Sequence, residues 1–281
     1  MNIPEYLAAA TMRLKAASVD QPERQASSLL KFVLDRPASF LIAHPEYELS
    51  DDEDAAFAVA VERRSTREPF QYIVGRQEFY GLDFVVEPEV LIPRPETEIL
   101  VEAAIDELSR VDAPRFCEIG VGSGCVSISI LANLPTASAV GADISRPAIA
   151  VAERNAVRHK VDDRIELIES NLFANVEGKF DLIVSNPPYI PAEDIDALQI
   201  EVRDYEPHTA LSGGLGGLDI VRRLINESPT HLVAGGSLMM EIGIGQSEDV
   251  AAMFDPLIWH SHCFLRDLQN IPRTVLAKLR G

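Results

Sequence analysis

The stretch Phe180-Asp181-Leu182-Ile183-Val184-Ser185-Asn186-Pro187-Pro188-Tyr189 decides how the chain is read. Its first five residues are mostly apolar and include β-branched side chains, the pattern of a buried strand. Two prolines then remove backbone donors and end any ladder. The strand therefore finishes on an Asn amide, a carbonyl on a stiff Pro-Pro segment and an aromatic ring. In open α/β sheets the C-terminal strand edge is where ligands bind.

Around this stretch, strands and helices alternate from residue 115 onward. Strands are expected at 115–119, 138–142, 164–168, 180–185, 236–241, 257–264 and 273–279. Helices fit at 125–133, 147–158, 217–226 and 246–254. Such alternation predicts an α/β domain with a doubly wound, mostly parallel sheet. Upstream the character changes. Residues 1–75 read as a small helical bundle, with Leu7, Ala10, Thr11 and Leu14 at helix spacing. Asp20-Gln21-Pro22-Glu23 is a helix start with a capping side chain and an early proline, and Ser50-Asp51-Asp52-Glu53 fits a capping box. Phe57, Ala60 and Val61 give the following helix its buried face. Residues 76–95 read as two short strands about a turn, then an extended Pro93–Pro95 joint. The expected domains are 1–75 (helical, substrate recognition), 76–95 (hairpin linker) and 96–281 (the sheet domain).

Composition narrows the function classes. The 281 residues are 47% hydrophobic and 25% charged, ordinary for a globular protein with a sizeable core. No apolar run is long enough to span a bilayer, and Met1-Asn2-Ile3-Pro4-Glu5 lacks the basic flank of a signal peptide, so a cytoplasmic setting is expected. Cys117, Cys125 and Cys263 have no Cys-x-x-Cys spacing and are expected to be reduced. A formal charge of −19 repels phosphate backbones and disfavours direct nucleic-acid binding; a basic protein partner suits it better.

The chemistry is expected at the strand ends. Glu118-Ile119-Gly120-Val121-Gly122-Ser123-Gly124 lies between a strand and a helix, where glycines let backbone N–H groups approach a ligand. The spacing is Gly-x-Gly-x-Gly, not the Gly-x-Gly-x-x-Gly of dinucleotide sites, which favours S-adenosylmethionine over a pyrophosphate cofactor. A tight turn that binds nothing is the alternative. Asp143, after the second strand, suits two ribose hydroxyls or the cap of the helix starting near Pro147, and the residues alone do not choose. Leu172, after the third strand, is an adenine-side contact or ordinary core. Trp259-His260-Ser261-His262-Cys263 reads as a plain strand, since His260 and His262 share one face and Cys263 the other, and no metal is expected. Gly213-Gly214-Leu215-Gly216-Gly217 lacks a following Lys-Ser/Thr and reads as a mobile loop, and His208 as a surface loop residue.

Taken together, these motifs resemble the peptide-chain-release-factor glutamine N5-methyltransferases of the HemK/PrmC type. The resemblance spans nearly the whole chain. It rests on Glu68-Pro69-Phe70-Gln71-Tyr72-Ile73-Val74-Gly75, Leu91-Ile92-Pro93-Arg94-Pro95-Glu96-Thr97-Glu98, the glycine loop, Asn186-Pro187-Pro188-Tyr189-Ile190, Glu206-Pro207, Gly216-Gly217-Leu218-Asp219 and Arg273-Thr274-Val275. Asn-Pro-Pro-Tyr alone also occurs in adenine methyltransferases; the Ile-Pro-Arg-Pro-Glu-Thr-Glu joint is the more specific element. The resemblance implies a class I methyltransferase fold, Rossmann-like, with seven strands, an N-terminal helical bundle and a β-hairpin linker.

It further implies a monomer that methylates the glutamine of a release factor's Gly-Gly-Gln loop and releases S-adenosyl-L-homocysteine. Gly120, Val121, Gly122, Ser123, Gly124, Asp143, Leu172 and Asn186 would contact S-adenosyl-L-methionine. Asn186, Pro187, Pro188 and Tyr189 would hold the glutamine. Asn186, Pro187 and Tyr189 would be catalytic: the Asn186 oxygen and the Pro187 carbonyl accept the two amide hydrogens, and Tyr189 packs against the amide. The 92–97 joint would close over the cleft. Two departures from the family pattern are Glu118, where Asp is common, and Leu172, where some members carry an aromatic. An adenine-N6 nucleic-acid methyltransferase and a non-catalytic S-adenosylmethionine-binding module are the competing readings; a nicotinamide dehydrogenase is disfavoured by the glycine spacing.

Overall fold

A computed structural model describes residues 1–281, which divide into two units: Met1–Arg76 with Gln199–Tyr205, and Gln77–Leu198 with Glu206–Gly281. The first unit holds helices α1 (Ile3–Ala16), α2 (Pro22–Leu34), α3 (Ala38–Ala43), α4 (Asp51–Ser65) and α5 (Phe70–Val74). Reciprocal capping boxes start α1 (Asn2 with Glu5) and α4 (Ser50 with Glu53), satisfying N–H groups that no helical carbonyl can reach. α2 differs from expectation. Its first turn follows Gln21 in the left-handed region at φ 50°, and no side chain caps it. Leu14, Leu29, Leu30, Phe57 and Val61 point into one shared core.

The segment Gln199–Tyr205 groups with these helices rather than with the sheet that its position in the chain would suggest. The reason is charge. Arg64, only 4% exposed, donates to Glu201 at 2.9 Å, and Arg67 forms a two-pronged pair with the same carboxylate at 2.7 and 2.6 Å. Such a planar fork-to-carboxylate match is the strong form of an ion pair. Burial alone would raise the pKa of Glu201, but the hydrogen bonds from Arg67 and Arg64 outweigh it and hold it at about 2.

The second unit opens with a hairpin, β1 (Arg76–Phe79) and β2 (Leu82–Val85), whose Phe79 and Phe84 are fully buried. They pack with Leu100, Val101, Ala104 and Leu108 of α6 (Glu98–Leu108), so the hairpin is part of this unit's core. Then come β3 (Arg115–Ile119), α7 (Cys125–Asn133), β4 (Ser138–Asp143), α8 (Arg146–Arg158), β5 (Ile165–Glu169), β6 (Phe180–Ser185), β7 (Leu232–Glu241), β8 (Trp259–Arg266) and β9 (Pro272–Leu279). The last seven strands form one sheet in the order β5-β4-β3-β6-β7-β9-β8, in which β9 alone runs opposite to the other six. The expected seven-stranded, mostly parallel sheet is the observed one.

Alternation along the end of β6 shows how the sheet is buried. Leu182 and Val184 enter one apolar layer and Ile183 the other, which Phe180 joins from beyond a register shift at Asp181. Both faces are covered, as mostly parallel sheets require. The register pairs Ile119 with Ala142 on one side and with Ser185 on the other. The ends of β3, β4 and β6 therefore lie side by side. No helix is long and apolar enough to cross a membrane.

Replacing Glu201 by Gln should destabilise the helical unit by about 3 kcal/mol at neutral pH, because it leaves two arginines short of their counter-charge. The folded pKa is depressed, so the stabilisation is complete above the unfolded value of about 4.3 and is lost as pH falls toward about 2. Thermal melts should thus separate wild type from Glu201→Gln at pH 7 and bring them together near pH 2–3. An unchanged gap across that range would show that the ion pair is not the source.

Candidate functional site

The three adjacent strand ends open onto a cavity of about 480 Å³ lined wholly by the second unit. Its floor is the turn from β3 into α7. Gly120, Gly122 and Gly124 all have positive φ, at 77°, 53° and 80°. A Cβ at Gly124 would also lie 2.8 Å from Ile128 Cδ1, so that position is closed to side chains by space as well as by backbone. At Gly122 a Cβ would meet nothing within 4 Å; this part of the loop faces open space.

Two neighbours hold the turn. The Asp143 carboxylate accepts from the Gly122 N–H and from the Ser145 N–H, each at 2.9 Å. Ser145, not Asp143, caps α8, by accepting from Ala148 N–H. The helix-cap alternative for Asp143 is therefore excluded, and its carboxylate lines the cavity. Burial raises its pKa, against the backbone hydrogen bonds that favour the ionised form. Asn155 is the second clamp. Fully buried on α8, it donates to the Ser123 carbonyl at 2.9 Å and exchanges hydrogen bonds with both backbone groups of Val85. The sequence reading missed it; a lone Asn inside the apolar face of a helix was the available signal.

Glu118, at the end of β3, lines the cavity and is 2% exposed. Burial pushes its carboxyl up to about 8, against hydrogen bonds from the Ser127 hydroxyl and N–H. Leu172 also lines the cavity and stands at φ 52°, a region costly for a bulky side chain. Ser170, donating to the Leu172 carbonyl and accepting from Asn175 N–H, holds that turn in place. Ile144, 58% exposed and next to Asp143, adds an apolar wall that the sequence reading did not single out.

Asn186, Pro187 and Pro188 complete the lining beside the glycine turn. The Asn186 amide Nδ2 donates to Thr97 Oγ1 at 3.1 Å, and Thr97 donates to Glu241 Oε2 at 2.7 Å. Tyr189 is the motif residue that does not line the cavity. Its hydroxyl donates to Glu241 Oε1 at 3.0 Å, so the expected packing of its ring on a bound amide is not what the geometry presents. Burial raises the pKa of Glu241, against those two hydroxyl donors and the nearby charge of Arg273.

The glycine run 213–217 packs against the Pro-Pro segment. Ile190 N–H donates to the Leu211 carbonyl and Gly213 N–H to the Ile190 carbonyl. A Cβ at Gly213 would lie 2.7 Å from the Pro188 carbonyl oxygen, and one at Gly217 would lie 2.1 Å from that of Tyr189. These glycines let a second strand of chain press against the back of the Pro-Pro segment. From the 91–97 joint, Arg94 and Thr97 reach the cavity wall; Arg94 pairs with the buried Glu206, which also accepts from Ile92 N–H. His208, expected on the surface, is exposed but lines the cavity. The His260–Cys263 tract forms part of β8, where His262 stacks on Phe254 at 5.1 Å between ring centroids.

The site's chemistry suits a ligand that carries positive charge. Glu89 and Asp143 face it against a single guanidinium, Arg94, already paired with Glu206. A glycine turn with an open side, an acidic strand end and apolar Ile144 and Leu172 match the amino-acid tail, ribose and base of S-adenosylmethionine.

Comparison with known proteins agrees. The PrmC N-terminal domain matches residues 5–75, and the methyltransferase small domain matches residues 96–201. A release factor glutamine methyltransferase of Geobacter sulfurreducens is 48% identical over 82% of this chain and 80% of its own length. Another, from Koribacter versatilis, is 39% identical over 99% of both. Among solved structures the hMettl16 catalytic domain, at 17% identity, superposes with a TM-score of 0.56 over 83% of each chain, which is a likeness of fold. Identity at this level over nearly the full length places the chain in the release factor glutamine methyltransferase family.

Proposed function

We propose that the chain carries out its family's reaction on its own substrate: transfer of a methyl group from S-adenosylmethionine to the side-chain amide nitrogen, N5, of the glutamine in a release factor's Gly-Gly-Gln loop. The observation that carries this is the placing of Asn186 and the glycine turn on one cavity wall, with the Asn186 amide already oriented by Thr97. S-adenosylmethionine, when bound, supplies an electrophilic methyl group on a sulfonium. Gly120 to Gly124 receive its amino-acid tail, Asp143 accepts from the ribose hydroxyls, and Leu172 with Ile144 covers the base.

The remaining chemistry belongs to Asn186 and Pro187. An amide nitrogen is a weak nucleophile because its lone pair is delocalised into the carbonyl. Asn186 Oδ1 and the Pro187 carbonyl accept its two hydrogens, which aims the nitrogen and opposes the positive charge that grows on it during transfer. Pro187 and Pro188 each have a fixed φ, so the segment that presents the Pro187 carbonyl is stiff. Pro188 closes the pocket beside it. The proton leaves once the nitrogen is alkylated and acidic, so no side chain has to remove it beforehand. Tyr189 serves the site from behind, through Glu241.

The helical unit, which matches the PrmC N-terminal domain, supplies the surface that reads the release factor. A charge of −19 suits a protein substrate rather than direct contact with nucleic acid.

The test is methyl transfer from labelled S-adenosylmethionine to a purified release factor, beside a variant factor whose Gly-Gly-Gln glutamine is alanine. Label on the first alone is expected. Label on neither, with label on RNA or DNA, would overturn the reading. Asn186→Ala should lower kcat by about 10²–10³-fold, the loss typical of removing one preorganised partner of developing charge. Asp143→Ala should weaken cofactor binding by about 10- to 100-fold in calorimetry, because it removes a charged acceptor and frees the Gly122 turn together.

A further inference from the structure

From the cavity wall a chain of hydrogen bonds runs inward: Asn186 to Thr97, Thr97 to Glu241, and Tyr189 to Glu241. Its members come from four places: the turn before α6, the end of β6, the Pro-Pro segment after it and the last residue of β7. Thr97 and Glu241 are each 2% exposed, so no water competes for their bonds.

The direction of the chain follows from counting hydrogens. Each oxygen of Glu241 meets one hydroxyl, the pairing of a carboxylate, which can only accept. The single hydrogen of the Thr97 hydroxyl is used on Glu241. The Thr97 oxygen then offers only lone pairs to Asn186, so the amide atom against it has to be the NH₂. That leaves Oδ1 as the atom turned to a ligand. An Asn side chain flipped by half a turn would set its oxygen against an oxygen and present donors to a substrate NH₂ that is itself a donor.

We propose that Thr97, Glu241 and Tyr189 are positioning residues that lock Asn186 with its oxygen toward the substrate amide. The proposal rests on the glutamine-methylation reading and names what makes its key acceptor an acceptor. None of the three touches the reacting atoms; each acts through Asn186.

The experiment is steady-state methyl transfer to the release factor by wild type, Thr97→Val, Thr97→Ser, Glu241→Gln, Asn186→Ala and the Thr97→Val/Asn186→Ala double variant. Valine keeps the shape of threonine without its hydroxyl, and serine restores the hydroxyl. Thr97→Val and Glu241→Gln should lower kcat by about 10- to 100-fold, the cost of a mis-set reacting geometry. Their KM values for both substrates should stay within about 3-fold of wild type, as expected for a contact that counts in the transition state. Thr97→Ser should recover to within about 3-fold of wild-type kcat, by the same logic of restored orientation. In the Asn186→Ala background Thr97→Val should cost less than about 2-fold, because the residue it acts through is gone.

Four results would each overturn the proposal: near-normal kcat in Thr97→Val, no recovery in Thr97→Ser, a loss confined to KM, or full additivity in the double variant. Should Thr97→Val fail to fold by thermal melt, Tyr189→Phe takes its place, with an expected kcat loss of about 3- to 10-fold and the same non-additivity with Asn186→Ala. An inactive wild type, or an Asn186→Ala variant at full rate, would instead sink the glutamine-methylation reading itself, so the two failures are distinct.

Discussion

Parallel pairing of β3 with β4 on one side and β6 on the other is the constraint from which the site follows. Parallel strands in one sheet all point their C-terminal ends the same way, and the shared register stops them at the same height. Ile119, Ala142 and Ser185 are neighbours across the sheet, so Gly120, Asp143 and Asn186 emerge together although 66 residues separate the first from the last. The Ser185 hydroxyl donates to the Ile119 carbonyl at 2.7 Å, which ties two of those ends directly. Both faces of the sheet are buried in apolar layers, and a slip in register would turn those residues toward the wrong face.

On that edge the polar groups are held by partners packed beside and behind them. Asp143 and Asn155 restrain the glycine turn; Glu241 and Tyr189 stand behind Asn186; Glu206 holds Arg94. These carboxylates and amides are buried or nearly so, where an unmet hydrogen bond is expensive and a met one leaves little freedom. Rigidity of this kind suits a reaction on an amide nitrogen, whose poor nucleophilicity leaves orientation and charge stabilisation as the means of acceleration. The glycines at 213 and 217 serve the same end from outside, by letting backbone press directly on the carbonyls of Pro188 and Tyr189.

Legibility in the sequence followed the range of the forces involved. The strands 115–119 and 180–185 and the helix 125–133 were read to the residue, because side-chain periodicity, glycines and prolines act over a few neighbours. The Ser50–Glu53 capping box was legible for the same reason. At Asp20 a capping side chain was read that does not form, since Gln21 takes a left-handed turn instead. Nothing local to the glycine run 213–217 shows which backbone presses on it.

Residue order alone was enough for the class of the fold, the succession of its strands along the chain and the short motifs whose meaning lies in adjacent residues: the glycine turn, the Pro-Pro segment and the acidic strand end. Every relation between residues far apart in the chain came from folding. Glu201 joins the helical unit through Arg64 and Arg67; Tyr189 turns toward Glu241 and away from the cavity; Thr97 takes the amide hydrogen of Asn186. The physical reason is the same in each case. A hydrogen bond or ion pair acts within about 3 Å of space, and a linear sequence carries no record of which side chains, dozens of positions apart, folding will bring that close.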